Sequence, residues 1–113
     1  MPNDCVFCKI AQGEISADIV AENDSAIAFR DLDPQAPVHV LVIPREHVDS
    51  LTDARNPLVL GDLMRLSADA AKREGVAEDG YRTVINTGRN AGQSVSHLHV
   101  HVLGGRNMAW PPG

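Results

Sequence analysis

The chain is 113 residues long, a length that suits one domain around a single core. Hydrophobic residues make up 43% and charged residues 22%, ordinary values for a soluble globular protein. A formal net charge of −5 argues against broad nucleic-acid binding, which leans on a basic face, but leaves room for one small phosphorylated ligand held by local donors. The start carries no basic stretch followed by an apolar run, and no apolar segment approaches the ~20 residues that span a bilayer. The expectation is a cytoplasmic protein with no membrane partner.

Cys5 to Ala11 reads as a short amphipathic helix ended near Gly13. Asp18 to Glu22 and Ala26 to Arg30 read as two short strands around the turn signal Glu22-Asn23-Asp24-Ser25. Asp33-Pro34-Gln35-Ala36-Pro37 is a rigid connection, and Val38 to Ile43, closed by Pro44, is the most apolar strand. The one long helix starts at Asn56-Pro57, with asparagine as cap and proline in the first turn. Val59, Leu63, Leu66 and Ala70 form its apolar stripe, and Glu74-Gly75 ends it. Tyr81 to Asn86 is a further strand, Gly88 to Gly92 a loop, and Val95 to Leu103 a long final strand. Five strands and one main helix, mostly joined by short turns, indicate an α+β domain with an antiparallel sheet. Residues 104–113 form an irregular tail that contains the sole tryptophan, Trp110.

On that final strand, alternation places His97, His99 and His101 on one face and Leu98, Val100 and Val102 on the core face. Neighbouring histidine Cα atoms would lie roughly 6–7 Å apart and the outer pair about 13 Å. A merely solvated face is one reading and a metal site another, although the outer pair is too far apart to share one ion without distortion. The favoured reading is nucleophilic and acid–base chemistry, because imidazole attacks as a neutral base and donates as a cation near neutral pH. Gly88 and Gly92 in the preceding loop allow close backbone approach to an anion, and Gln93 and Ser94 add side-chain donors. At the other end of the chain, Cys5-Val6-Phe7-Cys8 has the C-x-x-C spacing that supplies two of four tetrahedral zinc ligands in a reducing compartment, with histidine the natural source of the rest.

The run His97-Leu98-His99-Val100-His101-Val102-Leu103 resembles the defining pattern of the histidine-triad family. Asp31 to Pro44, Gly92 to Arg106 and Trp110-Pro111-Pro112-Gly113 bring it closer to the Hint branch, the purine nucleoside phosphoramidases. The resemblance implies one domain over residues 1–113 and a homodimer whose two sheets join into ten strands, with tail 104–113 packing across the dimer near the partner's active site. It implies hydrolysis of purine nucleoside 5′-phosphoramidates, aminoacyl-adenylate-type adducts included, through a nucleotidyl-histidine intermediate on His99. His101 and Ser94 match phosphate-contacting positions, and Asn86 and the Gly92 backbone complete that environment. His39 matches the fourth histidine of the site.

Asp31 matches the carboxylate that accepts both ribose hydroxyls, although alone it reads as a turn cap. Phe7, Ile10, Phe29 and Leu32 match the apolar slot for the base, and Trp110 the interface tryptophan. The same resemblance, extended to bacterial relatives and to galactose-1-phosphate uridylyltransferases, makes Cys5, Cys8, His47 and His97 the ligands of a structural zinc. Catalysis itself would need no cofactor. Two other functions use the same residues: dinucleoside polyphosphate hydrolysis, as in the Fhit-like branch, and a nucleotide-binding regulatory role with incidental activity. The Gly104-Gly105-Arg106 and Trp-Pro-Pro-Gly segments resemble the Hint branch instead of the Fhit-like one. Ser96 and Arg30 depart mildly from the family pattern without touching these roles.

Overall fold

A computed structural model describes residues 4–113. The chain runs α1 (Val6–Ala11), β1 (Ile19–Glu22), β2 (Ala26–Arg30), β3 (Val38–Pro44), α2 (Pro57–Arg73), β4 (Tyr81–Val84) and β5 (Val100–Gly104). The five strands form one antiparallel sheet in the order β1-β2-β3-β5-β4. This is the expected α+β architecture. After β3 the chain crosses through α2, forms the edge strand β4 and returns inside it as β5.

Each face of the sheet carries its own apolar cluster. On one face α2 lies across the sheet, and Leu63, Leu66, Ala70 and Ala71 meet Ala26, Ala28, Val40, Val42, Val100 and Val102. On the other, α1 brings Phe7, Cys5 and Cys8 against Ile27, Phe29, Leu41 and Ile43. β3 is therefore buried on both sides, which explains why it reads as a continuous apolar run without polar alternation. The long helix begins as expected: the Asn56 side chain accepts the Leu58 amide and Pro57 occupies the first turn. Cys5 caps α1 instead of starting it, its sulfur accepting the Cys8 amide at 3.4 Å.

The final strand is shorter than expected. Strand pairing covers Val100–Gly104, not Val95–Leu103, and β4 ends at Val84, not Asn86. The reason lies in the neighbours. β3 runs on to Pro44, opposite Ala26 on β2, but its last pair with β5 is Val42 with Val100, and β4 ends opposite His101, so residues 95–99 lie outside the ladder. One backbone bond, from the Leu98 amide to the Val48 carbonyl at 2.7 Å, holds that segment. Alternation of sides survives the loss of pairing. Leu98 still enters the α2-side core, while His97 and His99 are buried toward α1.

Leu63 is fully buried between α2 and the sheet, whereas Leu58 on the same helix is 79% exposed. Leu63→Ala is expected to cost about 2–4 kcal/mol of unfolding free energy, from lost burial plus the cavity left behind. Leu58→Ala should fall within about 0.5 kcal/mol of wild type. Urea titration of both variants checks the contrast.

Candidate active site

The pairing of β3 with β5 builds the first part of the site. Leu41 lies directly opposite His101, so His39, two residues along β3, is its diagonal neighbour on the same face. His39 Nε2 approaches His101 Nδ1 at 2.9 Å. The direction of this bond follows from a third group. The Gln35 backbone N–H donates to His39 Nδ1 at 3.0 Å, so that nitrogen carries a lone pair and the ring proton sits on Nε2. His39 Nε2–H then donates to His101 Nδ1, which leaves the proton of His101 on its own Nε2. Burial, with smaller contributions from His99 and His39, pushes His101 down to about 4. Burial likewise lowers His39, against the opposing pull of Asp31 and Asp33. Both rings are neutral near pH 7, and His101 is an N–H donor without being a cation.

His99 is oriented by the backbone. Its Nδ1 lies 2.8 Å from the His97 carbonyl oxygen, and a carbonyl can only accept, so Nδ1 carries the proton. The free lone pair is therefore on Nε2. The ring is only 4% exposed, with Phe7 edge-on at 5.2 Å and His101 at 5.0 Å between centroids. A buried imidazole with one fixed lone pair, beside a neutral N–H donor, is suited to attack an electrophile whose oxygen that donor binds.

Next to this group lies a largely apolar cavity of about 230 Å³, lined by Phe7, Ile10, Phe29 and Leu41, with Asp31 and Leu32 among its other lining residues. Leu32 is 99% exposed, so it is no part of the core. Asp31 serves two directions. One carboxylate oxygen accepts the Asp33 amide at 2.8 Å, as a turn cap does, and the other lies 3.5 Å from His39 Nε2.

Behind Phe7 the two cysteines meet two histidines. His47 Nδ1 lies 3.2 Å from Cys8 Sγ, and His97 Nδ1 lies 3.4 Å from Cys5 Sγ and 3.5 Å from Cys8 Sγ. The four ligand atoms all fall within 4.8 Å of one another. Both imidazoles are held from behind: His47 Nε2 by Asp49 at 2.7 Å, and His97 Nε2 by the Pro44 carbonyl at 2.9 Å. Those bonds place the ring protons on Nε2 and turn both Nδ1 lone pairs toward the thiols, as metal-ligating histidines require. Two thiols and two imidazoles at this spacing fit a tetrahedral zinc.

Asp31, His39 and His101 also bring ligand atoms within 4.8 Å, but their protons argue against a metal. An ion on His39 Nε2 would drive the ring proton onto Nδ1, against the Gln35 N–H.

The structure gathers His97, His99, His101, His39, Asp31, Phe7, Ile10 and Phe29 around one end of the sheet. Ser94 is exposed and lines a separate groove with Cys5, His47 and Asp49. Asn86 is half-buried past the end of β4, and Gly92 takes a left-handed φ of +78°. Trp110 is 80% exposed in the single chain, with the Arg82 guanidinium 5.7 Å from its ring centre. Sequence reasoning missed the Gln35 amide and the Pro44 and His97 carbonyls, because backbone groups leave no mark in residue type. Asp49 was findable as an acceptor two residues beyond His47.

An unfolded histidine titrates near 6.5. The folded chain holds His101 at about 4, so the unfolded state takes up the proton first as pH falls. Stability is thus full above about pH 6.5 and declines toward pH 4. From pH 7 to pH 5 the His101 contribution should fall by about 1–2 kcal/mol. Urea midpoints of wild type and His101→Asn at both pH values check this, the variant showing the flatter dependence.

Residues 12–108 match the HIT domain model. The chain is 45% identical over 110 residues to the purine nucleoside phosphoramidase of Escherichia coli K12, covering 96% of this chain and 92% of that protein. It is 49% identical over 113 residues to the 14 kDa zinc-binding protein of Zea mays, covering 96% and 87% respectively. The crystal structure of a HIT family hydrolase from Legionella pneumophila superimposes with a TM-score of 0.92 at 46% identity, covering 97% of this chain and all of that one. With the His97-x-His99-x-His101 run at the centre of its site, the chain belongs to the histidine-triad (HIT) family.

Proposed function

We propose that this protein is a phosphoramidase that hydrolyses purine nucleoside 5′-phosphoramidates through a covalent nucleotidyl-His99 intermediate. The observation that carries the reading is the 2.8 Å bond from His99 Nδ1–H to the His97 carbonyl, which leaves Nε2 as the one available lone pair. Nε2 attacks the α-phosphorus, the P–N bond breaks, and the amine leaves with a proton taken up from water. A second water then attacks phosphorus, gives a proton to the hydroxide left by the first, splits the His99 N–P bond and releases the nucleoside monophosphate. Positive charge gathered on His99 during attack is shared with the His97 carbonyl through Nδ1–H. His101 donates its Nε2–H to a non-bridging phosphoryl oxygen, and the small-residue loop from Gly88 to Ser94, with Asn86, supplies further donors. The cavity beside Phe7, Ile10 and Phe29 takes the base, and Asp31 accepts the ribose hydroxyls. The similarity to the E. coli phosphoramidase supports this substrate class.

Cys5, Cys8, His47 and His97 hold one structural zinc in this reading, supported by the cluster's geometry and the similarity to the maize zinc-binding protein. Bound there, zinc supplies folding energy by tying α1 to the segment around His97. The Cys8 thiol is pushed up to about 11, chiefly by burial, so binding must release its proton. The working molecule is a single HIT domain paired in a homodimer, with Trp110 and the tail covered by the second copy.

His99→Ala should lower kcat for adenosine 5′-phosphoramidate by at least ~10³-fold, and rapid acid-free quenching of wild type should trap an adenylyl group on the His99 peptide by mass spectrometry. Survival of hydrolysis in His99→Ala would remove the nucleophile assignment. Wild-type enzyme that binds nucleotide and turns over no phosphoramidate would favour a regulatory role. Separately, elemental analysis should find one zinc per chain. Cys5→Ser with Cys8→Ser should abolish it and lower Tm, whereas metal-free wild-type protein would refute the site.

A further inference from the structure

The tautomers of His39 and His101 depend on one peptide N–H, and that N–H sits on an exposed loop far along the chain from the histidine run. Something must hold the loop still. Two neighbours in the tail do so. The Arg106 guanidinium reaches the Gln35 carbonyl with Nη2 at 3.2 Å and Nε at 3.4 Å. Gly105, at a φ of +88°, lies so close to Pro37 that a Cβ there would stand 2.8 Å from the proline Cβ. The loop is thus gripped at Gln35 and at Pro37, two and four residues past Asp33. Gln35 is also tied back on itself, its side-chain amide donating to the Asp33 carbonyl at 3.1 Å.

We infer that Gly105 and Arg106 are positioning residues for the histidine pair: by clamping the Asp33–Pro37 loop they keep the Gln35 N–H on His39 Nδ1, and so keep the proton of His101 on Nε2. The chain of donors is closed in one direction. Arg106 donates to the Gln35 carbonyl, the Gln35 N–H donates to His39 Nδ1, His39 Nε2–H donates to His101 Nδ1, and His101 Nε2–H is left for a ligand. If the loop swings away, His39 is free to carry its proton on Nδ1. His39 Nε2 then becomes an acceptor, His101 turns its proton inward to Nδ1, and the ligand-facing nitrogen presents a lone pair where a phosphoryl oxygen needs a donor. A few ångströms of loop movement would convert an attractive contact into a repulsive one. Asp31, whose carboxylate lies 3.5 Å from His39 Nε2, favours the proton on that nitrogen but does not touch Nδ1, so it cannot replace the amide. The charged and titratable groups facing His39 are Asp31, Asp33 and His101, and those facing His101 are His99, His39 and Asp31.

The catalytic consequence rests on the reading of His101 as a phosphate donor, whereas the tautomers themselves do not. The test therefore reads both. Long-range ¹H–¹⁵N spectra of histidine-labelled, full-length protein as purified should show wild-type His39 and His101 as Nε2–H tautomers and His99 as Nδ1–H. In Arg106→Met, and more strongly in Gly105→Ala, His39 and His101 should shift toward mixed tautomers while His99 keeps Nδ1–H. Adenosine 5′-phosphoramidate turnover should fall about tenfold in kcat with KM changed less than about twofold, and Arg106→Lys should recover part of the loss. Wild-type His39 protonated on Nδ1, or unchanged tautomers in both variants, would overturn the inference whatever the activity. Shifted tautomers in a protein whose wild type hydrolyses no phosphoramidate would uphold the clamp and reject the substrate reading instead.

Discussion

The antiparallel pairing of β3 with β5 at the middle of the sheet is the constraint on which the site depends. β3 is buried on both faces, so a one-residue slip would exchange Val40 and Val42 for Leu41 and His39 against α2, burying an imidazole in the aliphatic core. That cost fixes the register. Register in turn makes His39 and His101 diagonal neighbours and places the first unpaired residue before β5 at His99. The segment 95–99 then has to be held by other means, and the bond from the Leu98 amide to Val48 with burial of Leu98 does so. Freed from the ladder, its carbonyls can face side chains. The His97 carbonyl reaches its neighbour's imidazole for this reason.

A second regularity follows. Each of the five histidines has one ring nitrogen tied to a fixed group: His39 to the Gln35 amide, His47 to Asp49, His97 to the Pro44 carbonyl, His99 to the His97 carbonyl, and His101 to His39. Imidazole is useful in catalysis because its two nitrogens are interchangeable, and for the same reason an untethered ring presents a mixture of donor and acceptor. Backbone groups are effective tethers because their polarity cannot change with pH. Three of the five tethers are backbone groups, and they serve the buried rings His39, His97 and His99.

Much of this was legible in the sequence, and the parts that were not have physical reasons. The helix from Pro57, the strands and the antiparallel class could be read from capping residues, turn signals and periodicity, which are local properties. The C-x-x-C spacing marked the two thiols that the structure brings together with His47 and His97, and alternation put Leu98 on the opposite side from His97 and His99. The start of β5 could not be read, because it is set by where pairing with β3 stops, and the paired residues of β3 are more than 50 residues away in the chain. Apolar character alone would put Leu32 in the core and the family resemblance puts it in the base slot; it is 99% exposed on the loop that follows β2 and lines the cavity there. The tethering amide and carbonyls were invisible because every residue but proline carries both.

His97 is where these threads join. Its ring lies fully buried, with Nδ1 facing the two thiols, while its carbonyl accepts the proton that orients His99. One residue thus belongs to the cysteine cluster through its side chain and holds His99 through its backbone. Phe7, between the two cysteines in sequence, stands edge-on to both His97 and His99 at 5.9 and 5.2 Å, filling the space that would otherwise let either ring turn. The His97 ring is anchored at both nitrogens, and the carbonyl of the same residue decides which nitrogen of His99 keeps a lone pair. None of Cys5, Cys8, His47 and His97 lines the cavity beside Asp31, yet through the His97 carbonyl the cluster is one residue away from the bond that orients His99.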